Sequence, residues 1–109
     1  MNVYSSIVFL RCLNNGMPIM AEMRVVVLSA PTQVKAAGLL RYYCEDIAHS
    51  YQNEEHQKIS WSVVFNEGPV LVVDFCKLAK PTKPIEVLTR YLSTAQLEAM
   101  IAPEVNIIS

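Results

Sequence analysis

The stretch PTKPIEVLTRYL, residues 81–92, sets the architecture through its echo of PTQVKAAGLLRYY, residues 31–43. Both open on Pro-Thr and both reach Arg-Tyr after a short apolar run. Pro84 stands where a first-turn proline is welcome, because its missing N–H is a donor that a helix start leaves unpaired anyway. Ile85, Leu88, Tyr91 and Leu92 then recur at helical steps, so the stretch predicts a second helix that matches an earlier one.

The earlier helix is the clearer of the two. Ser29-Ala30-Pro31-Thr32 stops a strand, and Thr32 or Ser29 is available as its cap. Ala36, Leu40, Tyr43, Ile47 and Tyr51 recur every three or four residues, and Val34, Ala37 and Cys44 widen that stripe. The pattern predicts an amphipathic helix to about Tyr51, packed on something flat. Gly38 inside it costs about 1 kcal/mol relative to alanine. The polar residues 52–57 end it.

Each helix follows a hairpin. Residues 3–13 are rich in β-branched and aromatic side chains and run into Asn14-Asn15-Gly16, the strongest short hairpin signal. A second extended run follows over residues 19–29. There Ile19, Ala21, Met23, Val25 and Val27 form an apolar face expected to meet the core. Met20, Glu22, Arg24, Val26 and Leu28 form the other, which is apolar at its ends. Residues 58–65 alternate, with Ile59, Trp61, Val63 and Phe65 on one side. Asn66-Glu67-Gly68-Pro69 reads as a turn, and residues 70–78 as the returning strand of a second hairpin. Ser93 and Gln96 fit a capping box, in which each side chain satisfies the other residue's amide. Leu97, Met100 and Ile101 form a last apolar turn that Pro103 ends, and the tail VNIIS reads as an edge strand.

The order strand–strand–helix thus occurs twice, in units 1–56 and 57–109 of a single domain. Two such ββα units predict an α+β fold: a four-stranded antiparallel sheet with both helices on one face. That arrangement is a circular permutation of the ferredoxin-like order. The other sheet face would stay open, carrying Ser60, Ser62, Glu22 and Arg24 beside Val26, Leu28, Val70 and Val72. A face of that mixture is expected to dimerise or to dock a partner. Val26, Leu28, Val70, Val72, Ile107 and Ile108 are the candidate interface residues.

Composition points the same way. The chain of 109 residues is 52% hydrophobic and 17% charged, against a usual charged share of about 25%. A domain this small has much surface for its volume, and exposed apolar patches usually mark interfaces. The net charge of −1 gives no field to steer the chain toward nucleic acid. Its longest apolar run, MRVVVLSAP, is far short of a membrane span. The N-terminus lacks the basic residue of a signal peptide. A soluble, cytoplasmic protein is expected. Cys12, Cys44 and Cys76 are odd in number and widely spaced, which suggests neither a disulfide framework nor a metal clip.

Motifs for chemistry are sparse. No nucleophile elbow, phosphate loop, zinc spacing or calcium loop occurs, and no catalytic residue, cofactor or metal ligand is assigned. Three polar residues are candidates for a site. His49 has Glu45 and Asp46 one helical turn before it, most simply as a surface ion pair. Asp74 interrupts an apolar strand, where a buried carboxylate is costly, and Arg24 is its possible partner. Lys77, Lys80, Lys83 and Arg90 form the one basic concentration, able to bind an anion or an acidic partner. The reading best supported is a non-enzymatic interaction protein. It would be a homodimer with a protein target, of the adaptor, chaperone, immunity or inhibitor kind, as phage and mobile elements also encode. The alternative is a small dimeric enzyme or ligand-binding protein with an apolar pocket and Asp74 or His49 as its polar group.

Overall fold

A long hairpin is the spine of the molecule. In a computed structural model, which describes residues 1–73 and 83–108 (73 and 102–108 by backbone alone), β1 (Asn2–Asn14) and β2 (Met17–Ala30) pair antiparallel along their length. Asn15 at φ 49° and Gly16 at φ 85° turn the chain between them, the left-handed conformation that the Asn-Gly signal anticipates. Around this hairpin the fold is α+β: among the described residues, an antiparallel sheet of six strands and two helices. The helix α1 (Gln33–Ile47) follows β2, and β3 (His49–Gln52) and β4 (Lys58–Asn66) form a second hairpin. Then come β5 (Val70–Val73), β6 (Ile85–Leu92) and α2 (Thr94–Ile108). The strand order is β3-β4-β1-β2-β6, with β5 also on β1.

This differs from two ββα units around four strands. β4 and β5 do not form a hairpin. β4 pairs with residues 8–14 of β1 and β5 with residues 3–5, both antiparallel, so they run in one direction along the same side of β1. Residues 66–69 step the chain sideways rather than reverse it, and hydrogen bonds hold them there. Glu67 N donates to Ile7 O at 3.2 Å, and Ile7 N donates to Glu67 Oε1 at 3.1 Å. Gln33 Nε2, at the start of α1, donates to Pro69 O at 2.6 Å.

The stretch expected as the second helix is a strand. Residues 85–92 are β6, paired with residues 21–27 of β2 and carrying one bulge opposite Val25/Val26. Its Ile, Val and Thr suit a pleated backbone, and β2 offers it a free edge. α1 also ends earlier than expected: Ala48 is extended at ψ 125°, and His49 and Tyr51 belong to β3. At the C-terminus the apolar tail is helix, since α2 continues past Pro103 to Ile108.

The helices cover opposite faces of the sheet. Side chains alternate along a strand, and on β1 the even positions Val8 and Leu10 pack with Leu40 of α1 and with Val26 of β2. The odd position Phe9 packs with Leu97 and Ile101 of α2, with Ala21 and with Leu92. Tyr4, Leu28 and Ala30 extend the α1 side to Ala36. Val26 and Leu28, assigned by the sequence to an open face, are therefore buried beneath α1. Each fully buried leucine contributes about 2 kcal/mol. Both faces of the central strands need apolar residues, which explains why the second face of β2 is not polar. The long hairpin also makes the chain elongated. Its radius of gyration is 15.5 Å, against about 13 Å for an ordinary domain of this size.

Candidate functional site

The polar centre of the molecule lies on the α1 side of β2. Glu22 and Arg24 share that face, and the Arg24 guanidinium is hydrogen-bonded and ion-paired to Glu22 through its Nε. Its Nη1 donates to the Tyr43 hydroxyl of α1 at 3.3 Å and lies 3.6 Å from Glu86 Oε2 of β6. Glu22 is only 5% exposed, a position that a carboxylate tolerates when its charge is compensated. Burial works against the Arg24 charge, but the bond to Tyr43 and the charge of Glu22 outweigh it and hold its pKa above the ordinary arginine value. The group ties β2, α1 and β6 together. It is a clamp on the edge strand.

The other sequence-derived candidates do not converge on it. His49 is exposed on β3, its Nδ1 2.9 Å from Ile47 O and its ring stacked on Tyr51 at 5.9 Å between centroids. Because it sits on a strand, the helical spacing to Glu45 does not apply. Asp74, Lys77, Lys80 and Cys76 lie outside the described residues. Lys83 and Arg90 are exposed. Lys83 borders a pocket of about 430 Å³ with Leu39, Tyr42, Tyr43, Asp46 and Pro84, whereas Arg90 pairs across to Met23 in the β2–β6 ladder. Val70 and Val72 are exposed on β5. Ile107 and Ile108 fall in the part of α2 described by backbone alone.

A second concavity, about 560 Å³ and open to solvent, runs between α1 and β4 and includes Arg41, Cys44, Glu45, Ser62 and Asn66. Burial, with the nearby Glu45 carboxylate, pushes the Cys44 thiol up. It is protonated at neutral pH and is not poised as a nucleophile. Burial likewise raises Cys12. Among the described residues, no group of three His, Cys, Asp or Glu side chains is arranged to hold a metal ion, and no helix is long and apolar enough to cross a membrane.

The feature that sequence reasoning missed is the β6 edge. Ile85 is 58% exposed, Val87 57%, Leu88 53% and Tyr91 66%, so four large apolar side chains of one eight-residue strand stand in water. Through the pairing with β2, Ile85 and Leu88 fall on the α2 side, and Tyr91 on the α1 side. The signal available in the sequence was the β-branched content of residues 85–89 next to Pro84. No protein-family model, curated protein or solved structure matches the chain.

Proposed function

We propose that this chain is a non-enzymatic protein-interaction module that works as a homodimer and docks a protein target. The observation that carries the reading is the exposed apolar run on β6, set at the side of a sheet whose centre is covered on both faces. Four side chains more than half exposed on one short strand cost solubility unless something covers them, and a strand edge unpaired among the described residues offers backbone donors and acceptors to whatever does. Val70, Leu71 and Val72 on β5 are a second exposed apolar group, on the far side of the β1–β2 hairpin, where a target could bind with β6 occupied. Sedimentation velocity over a wide concentration range, paired with affinity capture on the purified chain, tests the proposal. A concentration-dependent dimer that retains a specific protein is expected. A monomer at every concentration that captures nothing overturns it.

A further inference from the structure

We propose that Asn15 is a modification site: a deamidation site that the native β1–β2 turn holds shut and that opening of the turn releases. Asn15 is the one asparagine of the sequence followed by glycine, and both residues are exposed to water. In an open chain that pair is prone to ring closure, because glycine has no side chain to shield its amide nitrogen. The Gly16 nitrogen bonds to Asn15 Cγ, the Cγ–Nδ2 bond breaks, and Nδ2 leaves as ammonia with the Gly16 amide proton. Water then opens the succinimide at either carbonyl, giving aspartate or isoaspartate at position 15. Water is the only co-reactant.

Two features of the fold oppose the first step. One is the backbone. Asn15 at φ 49° and Gly16 at φ 85° have the positive φ values of a type I′ turn. A non-glycine residue at such a φ belongs to the left-handed region, where ψ is about 30–60°. For an L-residue that ψ sets the following nitrogen nearly opposite Cβ across the Cα–C bond, whereas ring closure needs the two eclipsed. Asn15 must therefore rotate roughly half a turn about ψ before Gly16 N reaches Cγ. The ladder resists that rotation from both sides, since Asn14 pairs with Met17 of β2 and with Ile59 of β4.

The other is Lys58, the first residue of β4. Asn15 N donates to Lys58 O at 2.8 Å, and Lys58 N donates to Asn15 Oδ1 at 2.9 Å. The side-chain carbonyl that must be attacked is thus held on β4, and swinging it toward Gly16 breaks that bond. Aspartate at position 15 can still accept from Lys58 N. Isoaspartate lengthens the backbone and shifts the turn out of register with β4, so an opening that ends in isoaspartate is permanent.

Wild-type protein held at mildly alkaline pH, in native buffer and in unfolding urea, and peptide-mapped by mass spectrometry over time, gives the rate at Asn15 in each state. In urea Asn15 should outpace the other asparagines. In buffer the two hydrogen bonds to Lys58 should slow it about thirtyfold. Lys58→Pro deletes the amide donor at the start of a strand, a position where proline is tolerated. It should speed the native reaction about fivefold, the effect of one such bond, with circular dichroism and the urea rate unchanged. Hydrogen exchange needs no variant: the wild-type Asn15 and Lys58 amides should be protected by a factor that matches the slowing. Equal rates in buffer and urea overturn the proposal. Unprotected amides, or a folded Lys58→Pro that deamidates no faster than wild type, overturn the hold by β4.

Discussion

Replacing Leu40 and Leu97 by alanine, singly and together, tests whether the sheet is covered on both faces. Leu40 is buried against Val8, Leu10 and Val26, with Trp61 and Val63 beside them. Leu97 is buried against Phe9, Ala21, Leu92 and Ile101. The two sets share no residue. Each truncation forfeits the transfer free energy of a buried side chain and leaves a cavity, together about 3 kcal/mol. Near the melting temperature the unfolding entropy is about 2.1 cal/mol/K per residue, so each change should lower Tm by about 13 °C. Sites without common partners add to within about 0.5 kcal/mol, and the double variant should lose about 6 kcal/mol. Urea unfolding in sulfate, which strengthens the folded state enough to keep a native baseline, measures all four proteins. Leu40→Ala with Val26→Ala, two members of one cluster, supplies the coupled control and should depart from additivity by more than about 0.5 kcal/mol. A coupling above about 1 kcal/mol between Leu40 and Leu97 would refute the two-faced arrangement, since it would mean that the helices share one core.

Three further outcomes are expected. Arg24→Met strands the buried Glu22 carboxylate and should cost about 3 kcal/mol, whereas Glu86→Gln, at the half-exposed rim of the same group, should cost under about 1 kcal/mol; chemical denaturation separates the two. The glycines should respond with opposite signs. A Cβ at Gly38 meets nothing within 4 Å, so Gly38→Ala should stabilise α1 by about 0.5–1 kcal/mol, whereas Gly16→Ala, at φ 85°, should destabilise the β1–β2 turn by about 1–2 kcal/mol. The raised thiols of Cys12 and Cys44 imply that the folded state holds protons that the unfolded chain has already lost. Their contribution to stability is full below the ordinary thiol pKa of about 8.5 and falls as pH rises through the folded values. Midpoints of urea unfolding measured from pH 8 upward should decline, and replacing both cysteines by alanine should flatten that decline.

Much of this fold was legible where local chemistry decides. Asn15-Gly16 gave the hairpin, Thr32 caps α1 by accepting from Lys35 N at 3.1 Å, and the Ser93–Gln96 box forms as expected, with Ser93 N donating to Gln96 Oε1 at 2.8 Å and Gln96 N donating to Ser93 Oγ at 3.1 Å. The stripe Ala36, Leu40, Tyr43, Cys44 and Ile47 is the packed face of α1. What failed depended on partners distant in sequence. Residues 85–92 space their apolar side chains in a way that both a helix and a bulged strand accept, and the choice belongs to the unpaired edge of β2. Residues 66–69 look like a reversal until Ile7 and Gln33 bind them in line. Val26 and Leu28 were assigned to the wrong environment because one covered face was assumed, although the apolar content of both faces of β2 already pointed to two. Of the candidate polar residues, Arg24 was named as a possible partner of Asp74, which lies outside the described residues; its partners in the fold are Glu22 on its own strand, and Tyr43 and Glu86 from elements that only the fold brings beside it.

Isotope-filtered nuclear Overhauser contacts in a mixed labelled and unlabelled sample measure most directly where two copies of the proposed homodimer meet. A dimer that covers the exposed β6 side chains predicts intermolecular contacts from Ile85, Val87, Leu88 and Tyr91. In a sample shown to be dimeric, intermolecular contacts confined to β5 or α1, with none from β6, would contradict it.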